Sequence, residues 1–297
     1  MRSSTNLLMR QMKALADPAR LRLVALCRNG ECGVSELVEI TAMSQPRISQ
    51  HLKQLCEAGL LERFRDGKRM FYRVPRVPER RTELEPLLDL IPEDDPQLIA
   101  DRERLHRGRG DQLEHGAGQR DDDASRRALH RAILDLTVTT PVGDLLDIGC
   151  GRGAILKLLA RRANRAVGVD IDANARQIAR AELLLAGIPD CSLRQGDMYR
   201  LPFDDQEFNT IIVDDVLADA RDPVRALTEA RRLLRPGGRL FILESVVTRR
   251  PADIQARLAE WSAEADLRLA PARVVPARNP DWLVSVATTI SQCHEAA

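Results

Sequence analysis

Leu145-Leu146-Asp147-Ile148-Gly149-Cys150-Gly151-Arg152-Gly153 decides the architecture of the second half of this chain. The apolar run from Asp144 predicts a buried strand. The alternating glycines predict a tight turn whose backbone N–H groups can approach a ligand closely, beside a helix N-terminus. Ala154, Ile155, Leu156, Leu158 and Leu159 continue as that helix. Ala166-Val167-Gly168-Val169-Asp170 predicts a second strand, ending in a carboxylate 19 residues after Gly151. An acid so placed can accept both hydroxyls of a ribose.

Further βα units follow. Gln195-Gly196-Asp197-Met198 closes a third strand, and Phe203 to Asp214 leads through a fourth. Leu233 to Leu243 supplies a helix, a tight Pro-Gly-Gly turn and a fifth strand, and Arg278 to Ala287 a final one. Alternating strands and helices predict a mostly parallel, doubly wound sheet with its ligand at the strands' C-terminal ends. The spacing is Gly-x-Gly-x-Gly after an aspartate. Dinucleotide enzymes instead carry Gly-x-Gly-x-x-Gly.

Towards the N-terminus the pattern changes. Asp17-Pro18 caps and starts a helix carrying Leu21, Leu23, Val24, Leu26 and Cys27, which ends at Asn29-Gly30. A short helix runs through Val34, Leu37, Val38 and Ile40, and Ser44 is a natural N-cap for the next. In that next helix Ile48, Leu52 and Leu55 share one face. Arg47, Ser49, Gln50, Lys53 and Gln54 lie on the opposite face, and Gln45 at the helix start is a further candidate DNA contact. These guanidinium, amide, hydroxyl and ammonium groups suit base edges and phosphates in a major groove. Ser44 is also a candidate DNA contact, and His51 lies on the DNA side or in the packing. Glu62 to Val74 then predicts a β-hairpin around Asp66-Gly67, with Arg65, Lys68 and Arg69 at its tip. A recognition helix followed by a cationic two-stranded wing is a winged helix.

Composition agrees with this division. The chain has 297 residues, a length that suggests about two domains at ~100–200 residues each. Residues 1–80 hold 15 Lys and Arg against 8 Asp and Glu, a surplus of seven. The remainder holds 30 against 36. A basic first domain and an acidic second one confine nucleic-acid contact to the N-terminus. No apolar run reaches the ~20 residues that span a bilayer, and the N-terminus lacks a signal-peptide core, so a cytoplasmic protein is expected. The six cysteines contain no Cys-x-x-Cys pair, which points to reduced thiols rather than disulfides or zinc. Boundaries are expected at 1–78 for DNA binding and 79–125 for a helical connector and dimerisation segment. The α/β domain is expected over 126–297, with 107–123 as a solvated linker.

Residues 7–76 resemble the ArsR family of winged-helix repressors, through Asp17-Pro18-Ala19-Arg20-Leu21-Arg22-Leu23 and Ser44-Gln45-Pro46-Arg47-Ile48-Ser49-Gln50-His51-Leu52. The resemblance implies a homodimer on palindromic double-stranded operator DNA, one recognition helix per half-site. Relatives that sense metals use a Cys-x-Cys pair. Here Gly33 and Ser35 stand at those positions and Cys32 is out of register, so no metal is expected.

Residues 140–245 resemble class I S-adenosylmethionine-dependent methyltransferases. The resemblance puts Gly149, Gly151 and Gly153 along the cofactor's amino-acid portion, with Asp147 near its amino group. It gives Asp170 the ribose, Ile171 and Met198 the adenine faces, and Asp197 the adenine amino group. Val213 and Asp214 line the sulfonium end. No base stands out: Asp214 and Asp215 are candidates, and the segment Arg249 to Arg268, where a substrate site is usually built, is short and charged. The whole arrangement resembles an ArsR subgroup that responds to S-adenosylhomocysteine in the methionine cycle. It implies a ligand-responsive regulator sensing S-adenosylhomocysteine or S-adenosylmethionine, with an active methyltransferase bearing a DNA-binding domain as the alternative.

Overall fold

A computed structural model describes residues 4–76, 78–115, 124–188 and 190–290. The chain forms two compact units, residues 1–116 with 180–190, and residues 117–179 with 191–297. Among the described residues no helix is long and apolar enough to cross a membrane.

The first unit starts with α1 (Ser4–Leu15) and α2 (Pro18–Arg28). Asp17 caps α2 by accepting the Arg20 N–H at 3.0 Å, and Pro18 sits where its missing N–H costs nothing. The two-residue strand β1 (Cys32–Gly33) leads into α3 (Val34–Thr41), which Ala42 ends in the left-handed conformation. Three residues later α4 (Gln45–Glu57) begins. Ser44 occupies its N-cap, as expected, but its side chain makes no capping bond. Ile48, Leu52 and Leu55 are fully buried, so the apolar seam that fixes α4 is the one the spacing predicts. Gly59, at φ +73°, ends the helix.

The wing is β2 (Glu62–Asp66) and β3 (Arg69–Arg73), with β1 added on β3's other side. Asp66 pairs directly with Arg69, so the two-residue loop is Gly67-Lys68, one position beyond the expected Asp66-Gly67. Gly67 takes φ +61°, the conformation that the first position of a tight hairpin requires.

Two helices complete the unit, α5 (Pro78–Leu88) and α6 (Pro96–His115). Leu84 and Leu88 of α5 and Leu98 and Leu105 of α6 join the winged-helix core, whereas Leu90 is exposed. Asp95 caps α6 through the N–H groups of Gln97 and Leu98. Asp101 on α6 is buried and accepts both Nε and Nη2 of Arg22 on α2, at 2.6 and 2.8 Å. The expected linker needs correcting over its first half, because 107–115 continue α6. Arg109 explains why: it is 4% exposed and its Nε and Nη2 grip Glu36 at 2.6 and 2.9 Å. The rest of that linker, 116–123, lies outside the described residues, as does Cys293.

The second unit begins with α7 (Ala124–Leu136), whose Leu129 and Ile133 are buried at the predicted helical spacing. Its sheet contains the parallel strands β4 (Gly143–Ile148), β5 (Ala163–Asp170), β6 (Cys191–Gln195), β7 (Phe208–Asp214) and β8 (Leu234–Ser245). The helices between them are α8 (Ala154–Leu159), α9 (Ala173–Leu185) and α10 (Pro223–Leu233). After β8 come α11 (Pro251–Glu264) and the antiparallel strands β9 (Leu267–Leu269), β10 (Arg273–Val275) and β11 (Trp282–Thr289). The sheet order is β10-β11-β8-β7-β4-β5-β6, with β9 on β11. The order reverses between β4 and β7, where open α/β sheets bind ligands. Leu146, Ile148, Ile211, Ile242 and Leu283 lie in the core beneath that point. The short charged segment after β8 holds α11, which buries one face through Ile254, Leu258 and Ser262.

Candidate ligand site and nucleic-acid face

The loop after β4 is the centre of the second unit's site. Gly149, Gly151 and Gly153 all take positive φ, at +76°, +50° and +80°. Only glycine adopts such a succession at little cost. The three do different work. A Cβ on Gly149 would meet Val216 Cγ1 at 2.5 Å, so this glycine admits a neighbouring segment. A Cβ on Gly151 would meet nothing closer than 3.9 Å, so this glycine leaves open space. Gly153 precedes α8, a helix of only six residues, and its N–H donates to the Cys150 carbonyl at 2.8 Å, which closes the turn.

β5 anchors the loop. The N–H groups of Gly149 and Cys150 both donate to the Val169 carbonyl, at 2.9 and 3.0 Å. The Gly151 N–H donates to Asp170 Oδ2 at 2.8 Å, and the Asp172 N–H donates to Asp170 Oδ1 at 2.8 Å. Asp170 therefore fixes the loop and its own turn, and each oxygen keeps a lone pair for a further donor. Ile171 beside it is 72% exposed.

Asp147 is different. It is 0% exposed, and among the described residues neither carboxylate oxygen has a hydrogen-bond partner. Burial, then the negative charges of Asp214 and Asp170, push its carboxyl well above the usual range. A buried carboxyl left without a donor is costly unless a ligand supplies one. Asp214, ending β7, is pushed up to about 7 by burial, opposed by Arg126, with Asp215 and Asp170 adding to the rise. Val213 is buried in the core, Met198 is half-buried against it, and Asp197 is exposed and accepts the Tyr199 N–H at 3.1 Å.

Sequence reasoning missed Glu244. It lies on β8, fully buried, and accepts the N–H groups of Leu217 and Ala218 at 2.8 and 3.1 Å. Burial outweighs those bonds and raises its carboxyl to about 7. The signal available was a lone acid at the end of the apolar run Leu240 to Leu243.

In the first unit Ser44 at the N-cap and Gln45, Arg47, Ser49, Gln50 and Lys53 on α4 are all exposed. Arg65, Lys68 and Arg69 are exposed on the wing. His51 departs from this set: it is half-buried, and both ring nitrogens are shielded with no partner among the described residues. It follows Ile48 by three residues and directly precedes Leu52, so the flank of the apolar seam takes up its ring. Cys27 and Cys32 are buried in this unit, and their mutual hydrogen bond with burial pushes the Cys27 thiol up.

The bacterial regulatory protein, arsR family model matches residues 17–63, and a methyltransferase domain model matches residues 146–242. An arsenic resistance transcriptional regulator of Pseudomonas putida is 48% identical over 69 residues, 23% of this chain and 54% of that protein. A ubiquinone/menaquinone biosynthesis C-methyltransferase of Hahella chejuensis is 34% identical over 122 residues, 40% of this chain and 49% of that protein. The chain thus spans about half the length of each of these relatives. The solved structure of a SAM dependent methyltransferase from Aquifex aeolicus superposes with a TM-score of 0.50 at 16% identity. It covers 61% of this chain and 98% of that one, a likeness of fold alone. The chain carries an ArsR-family helix-turn-helix domain at its N-terminus and a methyltransferase domain at its C-terminus.

Proposed function

We propose that this protein is a cytoplasmic transcriptional regulator whose methyltransferase-like domain senses S-adenosylhomocysteine or S-adenosylmethionine and so tunes operator binding. Residues 1–78 bind DNA, 79–125 connect and contribute to dimerisation, and 126–297 hold the ligand. The observation that carries this reading is Asp147, a fully buried carboxyl with no donor, under a glycine loop left open at Gly151. Both ligands carry an ammonium group, the donor such a carboxyl lacks.

The residues around it divide the ligand between them. Asp147 takes the ammonium, and Gly151 lets the backbone approach the amino-acid portion. Asp170 accepts the ribose hydroxyls while holding the loop. Ile171 and Met198 cover the adenine, and Asp197 accepts its amino group. Val213 and Asp214 border the sulfur. When bound, S-adenosylmethionine supplies an electrophilic methyl group at that sulfur, which S-adenosylhomocysteine has lost.

On the DNA side Arg47, Gln50 and Ser49 face the base edges, and Ser44, Gln45 and Lys53 the flanking phosphates. Arg65, Lys68 and Arg69 meet the backbone beside the helix. His51 stiffens the base of the recognition helix. Leu7, Leu8, Met9 and Met12 are exposed along α1, an apolar surface that a second copy would cover in a homodimer. A palindromic operator then receives one α4 per half-site.

To act as an effector, the ligand must bind the DNA-competent and DNA-incompetent states with different affinity. Operator titrations with and without saturating S-adenosylhomocysteine test this. A shift of roughly 5–150-fold is the usual size of such coupling. Unchanged operator affinity would sink the regulatory reading. Asp214 favours a second reading, an active methyltransferase, because a carboxyl held near 7 can take a proton at neutral pH. Turnover of labelled S-adenosylmethionine against a metabolite set separates the two.

A further inference from the structure

The segment after β7 is fastened from three directions. Glu244 accepts the Leu217 and Ala218 N–H groups. Asp215 takes a left-handed φ of +53°, rare for a residue with a side chain. Its N–H donates to the Leu243 carbonyl at 2.8 Å, and its carboxylate accepts the Ser245 N–H at 2.8 Å. Asp219 forms an ion pair with Arg249 beyond β8. Between these ties lies Val216, whose Cγ1 sits 2.5 Å from where a Cβ on Gly149 would be. The first glycine of the ligand loop is thus packed against a segment whose position β8 dictates.

We infer that Glu244 is a positioning residue for the ligand site, latching residues 215–218 so that Val216 holds the glycine loop in its binding shape. This rests on the reading that the glycine loop binds an S-adenosyl ligand. A carboxylate suits the task because one ionised group accepts from two adjacent backbone donors, and charged acceptors make the stronger bonds. Protonation converts one oxygen into a donor and leaves a backbone N–H short of its acceptor. Burial raises the Glu244 carboxyl to about 7 against its two backbone hydrogen bonds, and of the charged groups facing it Asp215 adds to the rise and Arg249 opposes it. The latch is therefore fastened above neutral pH and loosened below it.

Glutamine has the shape of the protonated acid, so Glu244→Gln mimics the loosened state. Calorimetric titration of the full-length protein with S-adenosylhomocysteine reads the effect. The ratio of mutant to wild-type Kd is expected near one at about pH 6, rising to roughly tenfold at about pH 8. Because Asp147 and Asp214 remain in both proteins, their titration cancels in the ratio. Val216→Ala removes no titrating group but removes the side chain through which the latch acts, so its ratio is also expected near one at about pH 6 and raised at about pH 8. Amide exchange in the wild-type protein supplies a measurement that needs no variant. Protection at Leu217 and Ala218 is expected to fall between about pH 8 and pH 6 after correction for intrinsic exchange.

A Glu244→Gln ratio that does not change with pH, or unchanged protection at those two amides, overturns the latch. A wild-type protein that binds no S-adenosylhomocysteine at either pH overturns the ligand reading, and the latch with it.

Discussion

The recognition helix and the glycine loop place polar groups in opposite ways. On α4 the apolar seam of Ile48, Leu52 and Leu55 is fully buried, and six of the polar side chains are exposed to solvent. Helical geometry alone points them outward, and nothing in their own unit is needed to aim them. At the glycine loop the polar groups are held by partners or enclosed. Asp170 is bonded to two backbone N–H groups, Asp147 is sealed from solvent, and Glu244 is tied to the next segment. A surface that meets a polyanion can be built from exposed cations, because phosphate attraction acts at long range. A pocket that encloses one small ligand must fix each acceptor in advance. Substitutions should therefore act locally and gradually on α4, and steeply at the loop.

The steepest effect is expected from Asp170→Ala. It removes an acceptor for the ligand and frees the Gly151 N–H that the same carboxylate holds. Binding of S-adenosylhomocysteine should weaken by at least roughly 100-fold, since two charge-assisted bonds are lost together. Ligand-free operator binding should stay at the wild-type value. A loss of operator affinity in this variant would break the separation between the two regions. Arg47→Ala should do the reverse at smaller scale. Operator affinity should fall by roughly 5–150-fold, the range for one base or phosphate contact of about 1–3 kcal/mol. Calorimetry with S-adenosylhomocysteine should be unaffected.

The same contrast explains how much of the molecule could be seen in the sequence. Ile48, Leu52 and Leu55 announce their burial by spacing, so α4 and its exposed face were legible. Strands β4, β5 and β7 were equally plain, as apolar runs ending in an acid or glycine. Long-range partners were not legible. Nothing near residue 109 says that its arginine would be buried against Glu36, 73 positions away, and carry α6 into an expected linker. Nothing in Phe241-Ile242-Leu243-Glu244 says that the acid would cap the segment after β7. The one-residue shift of the wing turn has a similar origin. Asp66-Gly67 and Gly67-Lys68 are both acceptable turn pairs, and cross-strand pairing of Asp66 with Arg69 decides between them.

The buried acids also predict how stability follows pH. Asp214 moves from an ordinary 3.8 to about 7, Glu244 from 4.5 to about 7, and Asp147 moves the same way. Each folded pKa exceeds its unfolded one, so between roughly pH 4 and pH 7 the folded unit holds more protons than the unfolded chain. Asp214 and Glu244 make stability fall as pH rises through that window, and their effect levels off above it, while Asp147 acts in the same direction. Asp17 and Glu229, whose carboxyls are lowered, work in the other sense, so a variant isolates the contribution. Asp214→Asn should melt higher than wild type at about pH 8, with the gap closing towards about pH 4. A shift of about 2–4 °C per kcal/mol makes this measurable. Trp261 and Trp282, the chain's two tryptophans, both lie in the second unit, so their fluorescence follows that unit. A gap independent of pH would mean that Asp214 is charged throughout, and would remove the basis for a neutral-pH base there.

The smallest effect is expected at the wing tip. Lys68 is exposed in the two-residue turn, and its long, flexible side chain has no packing role to lose. An ammonium there can meet a phosphate only as a point charge. Lys68→Ala should therefore cost a few-fold in operator affinity and reduce the slope of log affinity against log salt by about one. The loss should be the same for operator and unrelated duplex, because phosphates carry no sequence. Arg47→Ala should discriminate between them. If Lys68→Ala weakened the operator alone, the wing would be reading sequence. The division between an aimed helix and an unaimed wing would then fail within the first unit itself.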